Sequence, residues 1–226
     1  MSRKPWTTIT LLIAAPVLMN LAFLGLSVSF DYPDVLQTSS TEALARFRAE
    51  QGTIVALFTA LAAAACAFAP LSILIGRLDS STTMRWAVRT GVAAALAQAI
   101  GLLRWPLLVP GLAEHAAPDR AVLDTFETLN TVLGTVLGET IGYALTATWT
   151  VLVVRALRAR VPRWFAALGT LSAVAIATGV LVPLGAEPAG LTNFVGYILW
   201  SGWLLAFAGL LARYGAELRP TVSQGD

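Results

Sequence analysis

Ionisable side chains are scarce in this chain, and two of them, Arg104 and Glu139, stand inside long apolar runs. A charge in hydrocarbon is costly unless it is paired, hydrated or neutralised, so such residues mark either a functional site or a fold-specifying pair. Arg104 comes near the end of its run and Glu139 follows the start of the next, so a helical hairpin brings both to similar depth. The spacing predicts a buried ion pair. Two roles compete for it: a purely structural pair, or the wall of a wet pocket open to the outside that binds an anionic or zwitterionic headgroup. In the second, Arg104 holds an anionic group, and Glu139 orients Arg104 or holds a cationic group. Gln98, Asn130 and Thr135 stand ready as hydrogen-bonding support, and Trp105 as a ring to stack on a guanidinium or ligand cation.

Glu139 sits among glycines that recur at 134, 138 and 142. Such spacing strips one helix face of side chains and lets another backbone come close, within the chain or from a partner. At about 100° per residue, Glu127, Asn130, Thr131, Gly134, Thr135, Gly138, Glu139 and Gly142 share one half of the helix. That polar, small-residue face is expected to point into a bundle. Its structural alternative is tight helix packing alone.

Other chemistry is less well supported. His115, Asp119, Asp124 and Glu127 cluster in sequence, but their spacing fits no metal motif, and loop and helix-cap roles are expected instead. No metal or other cofactor is assigned. Phosphate-binding loops, dinucleotide fingerprints, nucleophile elbows and zinc-protease or CxxC motifs are missing. An intramembrane enzyme remains the alternative function, with Glu139 or Glu127 as acid or base on a lipidic substrate; a neighbouring Arg104 opposes it by favouring the ionised carboxylate. On the last run, Asn193, Tyr197, Trp200, Ser201 and Trp203 are expected to pack rather than bind. The lone Cys66, in an Ala-rich run, is expected to be a small buried packing residue.

These residues need elements to hold them. Of 226 residues, 57% are hydrophobic and only 12% charged, with a net charge of +2. Soluble domains carry roughly 25% charged residues. The chain therefore reads as an all-α, polytopic membrane protein, a single domain over 1–226, and nucleic acid is excluded as a partner. Six transmembrane helices are predicted at about 9–30, 52–76, 86–112, 129–154, 164–184 and 193–212. The first is too long for a cleaved signal and is read as retained. Within it Pro16 and Asn20 require partners from neighbouring helices. Ser39 and Glu42 fit a capping box, with Glu42 and Arg46 one turn apart. The element from Asp119 to about Leu157 would be roughly 58 Å long as one α-helix, so its first turns are expected outside the membrane. Glu187-Pro188-Ala189-Gly190 reads as a turn.

Arg3, Lys4, Arg77, Arg85, Arg155, Arg158, Arg160, Arg163, Arg213 and Arg219 flank one side of the six spans, against Arg46, Arg48 and Arg120 on the other. That bias predicts both termini cytoplasmic, in a bacterial cytoplasmic (inner) membrane.

Gly138-Glu139-Thr140-Ile141-Gly142-Tyr143 with Thr146-Ala147-Thr148-Trp149-Thr150, and Gly101-Leu102-Leu103-Arg104-Trp105-Pro106, resemble signatures of a bacterial family of multi-pass membrane proteins of unknown function. The resemblance implies a six-helix membrane domain and no assigned activity. It also implies histidines where this chain has Asn130 and Thr140, so a histidine-dependent role is not carried over, whereas Arg104 and Glu139 are. The expected function is non-enzymatic: a buried polar site near the outer leaflet that binds a small amphiphile or lipid headgroup, with transport as an extension. Membrane lipids are the expected partners. A second copy or a partner membrane subunit docked on the glycine face is the third reading.

Overall fold

A computed structural model describes residues 5–114 and 119–214. The described residues form helices and no strands: α1 (Trp6–Phe30), a short 3-10 turn (Asp34–Gln37), α2 (Ser40–Ala49), α3 (Gln51–Gly76), α4 (Thr82–Leu107), α5 (Val109–Ala113) and α6 (Arg120–Leu129). A π-helical segment (Asn130–Ile141) then leads into α7 (Gly142–Leu157), followed by α8 (Arg163–Ala177), a 3-10 segment (Thr178–Leu184) and α9 (Glu187–Tyr214). Six continuous stretches are long and apolar enough to cross a membrane. Large apolar side chains such as Leu21, Val28, Leu171 and Val174 point outward, as a bilayer permits and water does not.

The spans close into a ring in chain order. α1 packs on α3, α3 on α4, α4 on the π segment and α7, α7 on α8, α8 on α9, and α9 returns to α1. At one end the loops stay short, and Arg160 bonds Asp79 and the Leu78 carbonyl, tying the α3–α4 turn to the α7–α8 turn. Aromatic side chains fill the interior toward this end: Phe68, Trp149, Trp200, Trp203, Phe165 and Phe207. At the other end the polar segments fold into a cap, in which α2, α5 and α6 pack on one another. The cap has its own core of Phe30, Val35, Leu44, Phe47, Phe58, Trp105, Val109 and Phe126.

Local signals in the sequence act as expected at several points. Ser39 Oγ accepts the Glu42 N–H, Asp119 accepts the Val122 N–H, and Arg46 pairs with Glu42 at 2.8 Å. Asn20 Nδ2 donates to Ser201 Oγ on α9 at 2.9 Å, the neighbouring-helix partner it required, and to the Pro16 carbonyl of its own helix at 2.7 Å.

Other expectations are corrected. The long fourth element is not one α-helix, because the π segment interrupts it. Glu187-Pro188-Ala189-Gly190 is the first turn of α9; Pro188 fits a helix start, where no backbone donor is needed. Cys66 is exposed, since the buried stripe of α3 runs through Ala62, Ala65 and Phe68 and leaves Cys66 on the lipid-facing side. His115 lies outside the described residues.

Candidate functional site

The site is built where α4 meets the π segment. α4 and the π segment run antiparallel, and glycines set their approach. A Cβ on Gly101 would stand 2.7 Å from the Gly138 Cα and 2.8 Å from the Leu133 carbonyl oxygen. One turn on, a Cβ on Gly134 would stand 2.7 Å from the Arg104 guanidinium, and a turn back, one on Gly142 would meet Gln98 Cγ at 2.8 Å. Thus Gln98, Gly101 and Arg104 on α4 lie opposite Gly142, Gly138 and Gly134. The glycine face is therefore occupied by α4 of the same chain.

Arg104 is buried, 4% exposed. Its Nε donates to Asn130 Oδ1 at 3.1 Å, and its Nη1 donates to the Gly101 carbonyl one turn earlier. Its guanidinium carbon lies 5.2 Å from the Trp105 ring centre. Trp105 is fully buried, stacked on Phe58 at 4.8 Å, and belongs to the cap core. Its stacking is thus spent on protein, and Arg104 is the cation beside it.

The expected direct ion pair does not form. No carboxylate of the described residues comes within 4.0 Å of Arg104. Glu139 lies within electrostatic reach of Arg104, half-buried, and makes no hydrogen bond among the described residues. The expectation rested on similar depth, and depth does not fix which way a side chain points around its helix: the residues of this segment and the start of α7 that face α4 are Gly134, Gly138 and Gly142.

Sequence reasoning missed Tyr32, Tyr143 and Thr146 as residues of the site, and expected Tyr197 only to pack. Tyr32, read as part of a turn, reaches into electrostatic range of both Arg104 and Glu139, its ring edge-on to Phe58 at 5.3 Å and to Phe23 at 5.8 Å. Burial, reinforced by Glu139, pushes its hydroxyl up to about 12, so it remains a neutral phenol and gives Arg104 no counter-charge. Tyr143, a turn beyond Glu139, meets Tyr197 edge-on at 5.7 Å. Gln98 Nε2 lies 2.8 Å from Thr146 Oγ1 and 3.3 Å from the Tyr197 hydroxyl. Gln98 is the signal that could have led to Tyr197 and Thr146, because an amide inside a span must find partners.

A narrow cavity of about 50 Å³ opens beside Gln98, between α1, α3, α4 and α9, and is otherwise lined by apolar side chains such as Met19, Leu61, Phe68 and Leu102. Thr135 is half-buried on the π segment and makes no side-chain hydrogen bond among the described residues. Glu127 is exposed on the cap and accepts Ser40 Oγ at 2.8 Å, apart from the Arg104 contacts. Among the described residues no three His, Cys, Asp or Glu gather as metal ligands. Asn193 donates to the Ile176 carbonyl at 2.7 Å and Trp200 to Thr150 Oγ1 at 2.9 Å, so both serve helix packing.

A family model described as a domain of unknown function, DUF4386, matches residues 8–208, and the chain belongs to that family. Both stretches that carry the sequence resemblance fall inside the match, and they touch each other at Gly101 and Gly138. No curated protein and no solved structure matches the chain.

Proposed function

We propose that this member of the DUF4386 family binds a small amphiphile or lipid headgroup at the Arg104–Glu139 site, as a carrier or receptor rather than an enzyme. The reading places the protein in a bacterial cytoplasmic membrane, with both termini inside and the cap outside, because the basic residues gather at the end away from the cap. Arg104 holds the anionic group, and Asn130, Gly101 and Gly134 set its position. Gln98, Tyr143 and Tyr197 form the polar wall deeper in the bundle.

The observation that carries the reading is that Arg104 is buried with neutral partners only. A purely structural ion pair would be closed, because an uncompensated buried charge costs several kcal/mol. An open pair of opposite charges, with a half-buried carboxylate that makes no hydrogen bond among the described residues, suits a site that is completed from outside. The glycines keep α4 and the π segment close enough to hold Arg104 and Asn130 in that geometry.

Native mass spectrometry of protein extracted in mild detergent tests this. A discrete retained mass is expected on the parent and not on an Arg104→Gln, Glu139→Gln double variant. The same retained masses on both would remove the proposal.

A further inference from the structure

Arg104 and Glu139 are opposite charges held inside one bundle, near enough to interact but beyond 4.0 Å of each other. Neither has a charged partner within 4.0 Å among the described residues. Tyr32, the neighbour in electrostatic reach of both, is a neutral phenol. Charge arithmetic in a low-dielectric site then discriminates among ligands. A simple anion would satisfy Arg104 but repel Glu139. A simple cation would satisfy Glu139 but repel Arg104. Only a ligand carrying both charges completes the two together. The surroundings of Glu139 suit an ammonium group, because the carboxylate makes no hydrogen bond among the described residues and the polar side chains Tyr143 and Tyr197 lie within its electrostatic reach. The surroundings of Arg104 suit a phosphate or carboxylate. Its guanidinium plane is fixed by Asn130 and the Gly101 carbonyl, and a fixed plane favours two-point recognition of oxyanions.

Resting on the binding reading above, we infer that the ligand is a zwitterion, with its oxyanion on Arg104 and its ammonium on Glu139. Two sources share this chemistry: the headgroup of a zwitterionic phospholipid and a free amino-phosphate compound.

The test uses the full chain, stripped of lipid in mild detergent. In one arm, equimolar phosphatidylethanolamine and phosphatidylglycerol are offered and the retained lipid is weighed by native mass spectrometry. In the other, soluble phosphorylethanolamine and inorganic phosphate are titrated calorimetrically. Close charge pairs at interfaces are worth upward of about 1.5 kcal/mol, so a preference of about tenfold or more for the zwitterion is expected. Preference in the first arm alone assigns a lipid headgroup; preference for phosphorylethanolamine in the second assigns a free zwitterion. Glu139→Gln should abolish most of that preference while binding through Arg104 persists. Equal or better binding of phosphatidylglycerol or phosphate by the parent, lost in Arg104→Gln, would overturn the zwitterion and leave the binding reading standing. A preference unchanged by Glu139→Gln would also overturn it. If the parent holds none of the probes better than the double variant does, the binding reading falls and the zwitterion with it.

Discussion

Two arginines in this protein meet carboxylates in different ways, and the contrast separates structure from function at the residue scale. Arg160 closes on Asp79 and the Leu78 carbonyl, and ties two turns together at the end away from the cap. Burial raises the Asp79 carboxyl, but hydrogen bonds from Ser81 and the charge of Arg160 outweigh that and hold it below the usual carboxylate range. A depressed folded-state value means that the stabilisation is complete above the ordinary value of about 3.9 and fades as pH falls through the lowered one. Melting temperature followed against pH should therefore show Asp79→Asn below the parent at neutral pH, with the gap closing under acid. A gap that widens on acidification would refute the tether. Arg104 makes no such closed pair, and its nearby Glu139 stays open. The polar members Arg104, Glu139, Gln98 and Asn130 were legible in the sequence because each breaks an apolar run, where hydrocarbon leaves no neutral explanation. Tyr32 and Tyr143 were not legible, since tyrosine is ordinary at membrane boundaries and its reach into a site depends on backbone path.

At the scale of elements, the decisive contact is the glycine-lined approach of α4 to the π segment. The spacing at 134, 138 and 142 correctly announces a close backbone contact, and the structure assigns it to the same chain. What the spacing could not announce is the π geometry itself, because no single residue type commands i→i+5 bonding; it follows from tertiary packing. Similar depth suggested a closed ion pair that the molecule leaves open, because depth alone does not fix the direction of Glu139 around its helix. Gly138→Ala would set a Cβ 3.1 Å from the Gly101 Cα, with backbone on both sides unable to yield. Overpacking of this kind costs about 1–3 kcal/mol. Gly209→Ala on α9 meets nothing within 4 Å and removes the helix penalty of glycine, worth up to about 1 kcal/mol. In detergent melts Gly138→Ala should fall clearly below the parent, while Gly209→Ala stays level or rises. Equal melting of the two variants would show that the close contact is not made.

For the whole molecule, composition announced a membrane protein and the six long apolar runs announced its helical spans, because a helix satisfies its own backbone in hydrocarbon. The ring closure of α1 on α9 and the folded cap were beyond it, since both depend on long-range packing of Phe30, Phe58 and Trp105 and on the Asn20–Ser201 bond. The cap core and the polar site meet at adjacent residues, Trp105 and Arg104, so the end of the bundle that carries the site also holds a packed aromatic cluster. That arrangement suits a site whose charges are held in place at some cost to the empty protein. Replacing buried charge by apolar groups of similar volume is often neutral or stabilising, by about 1–4 kcal/mol, whereas a ligand that binds only the folded state raises the melting temperature by linkage. The most direct measurement is a melt of the parent and of an Arg104→Met, Glu139→Gln variant, each lipid-stripped and each with added phosphatidylethanolamine. The expected result is a variant that melts at or above the parent when stripped and gains nothing from lipid, while the parent gains several degrees. A variant that melts far below the parent in both states, with the same lipid response, would mean that the two charges serve the fold and not a ligand.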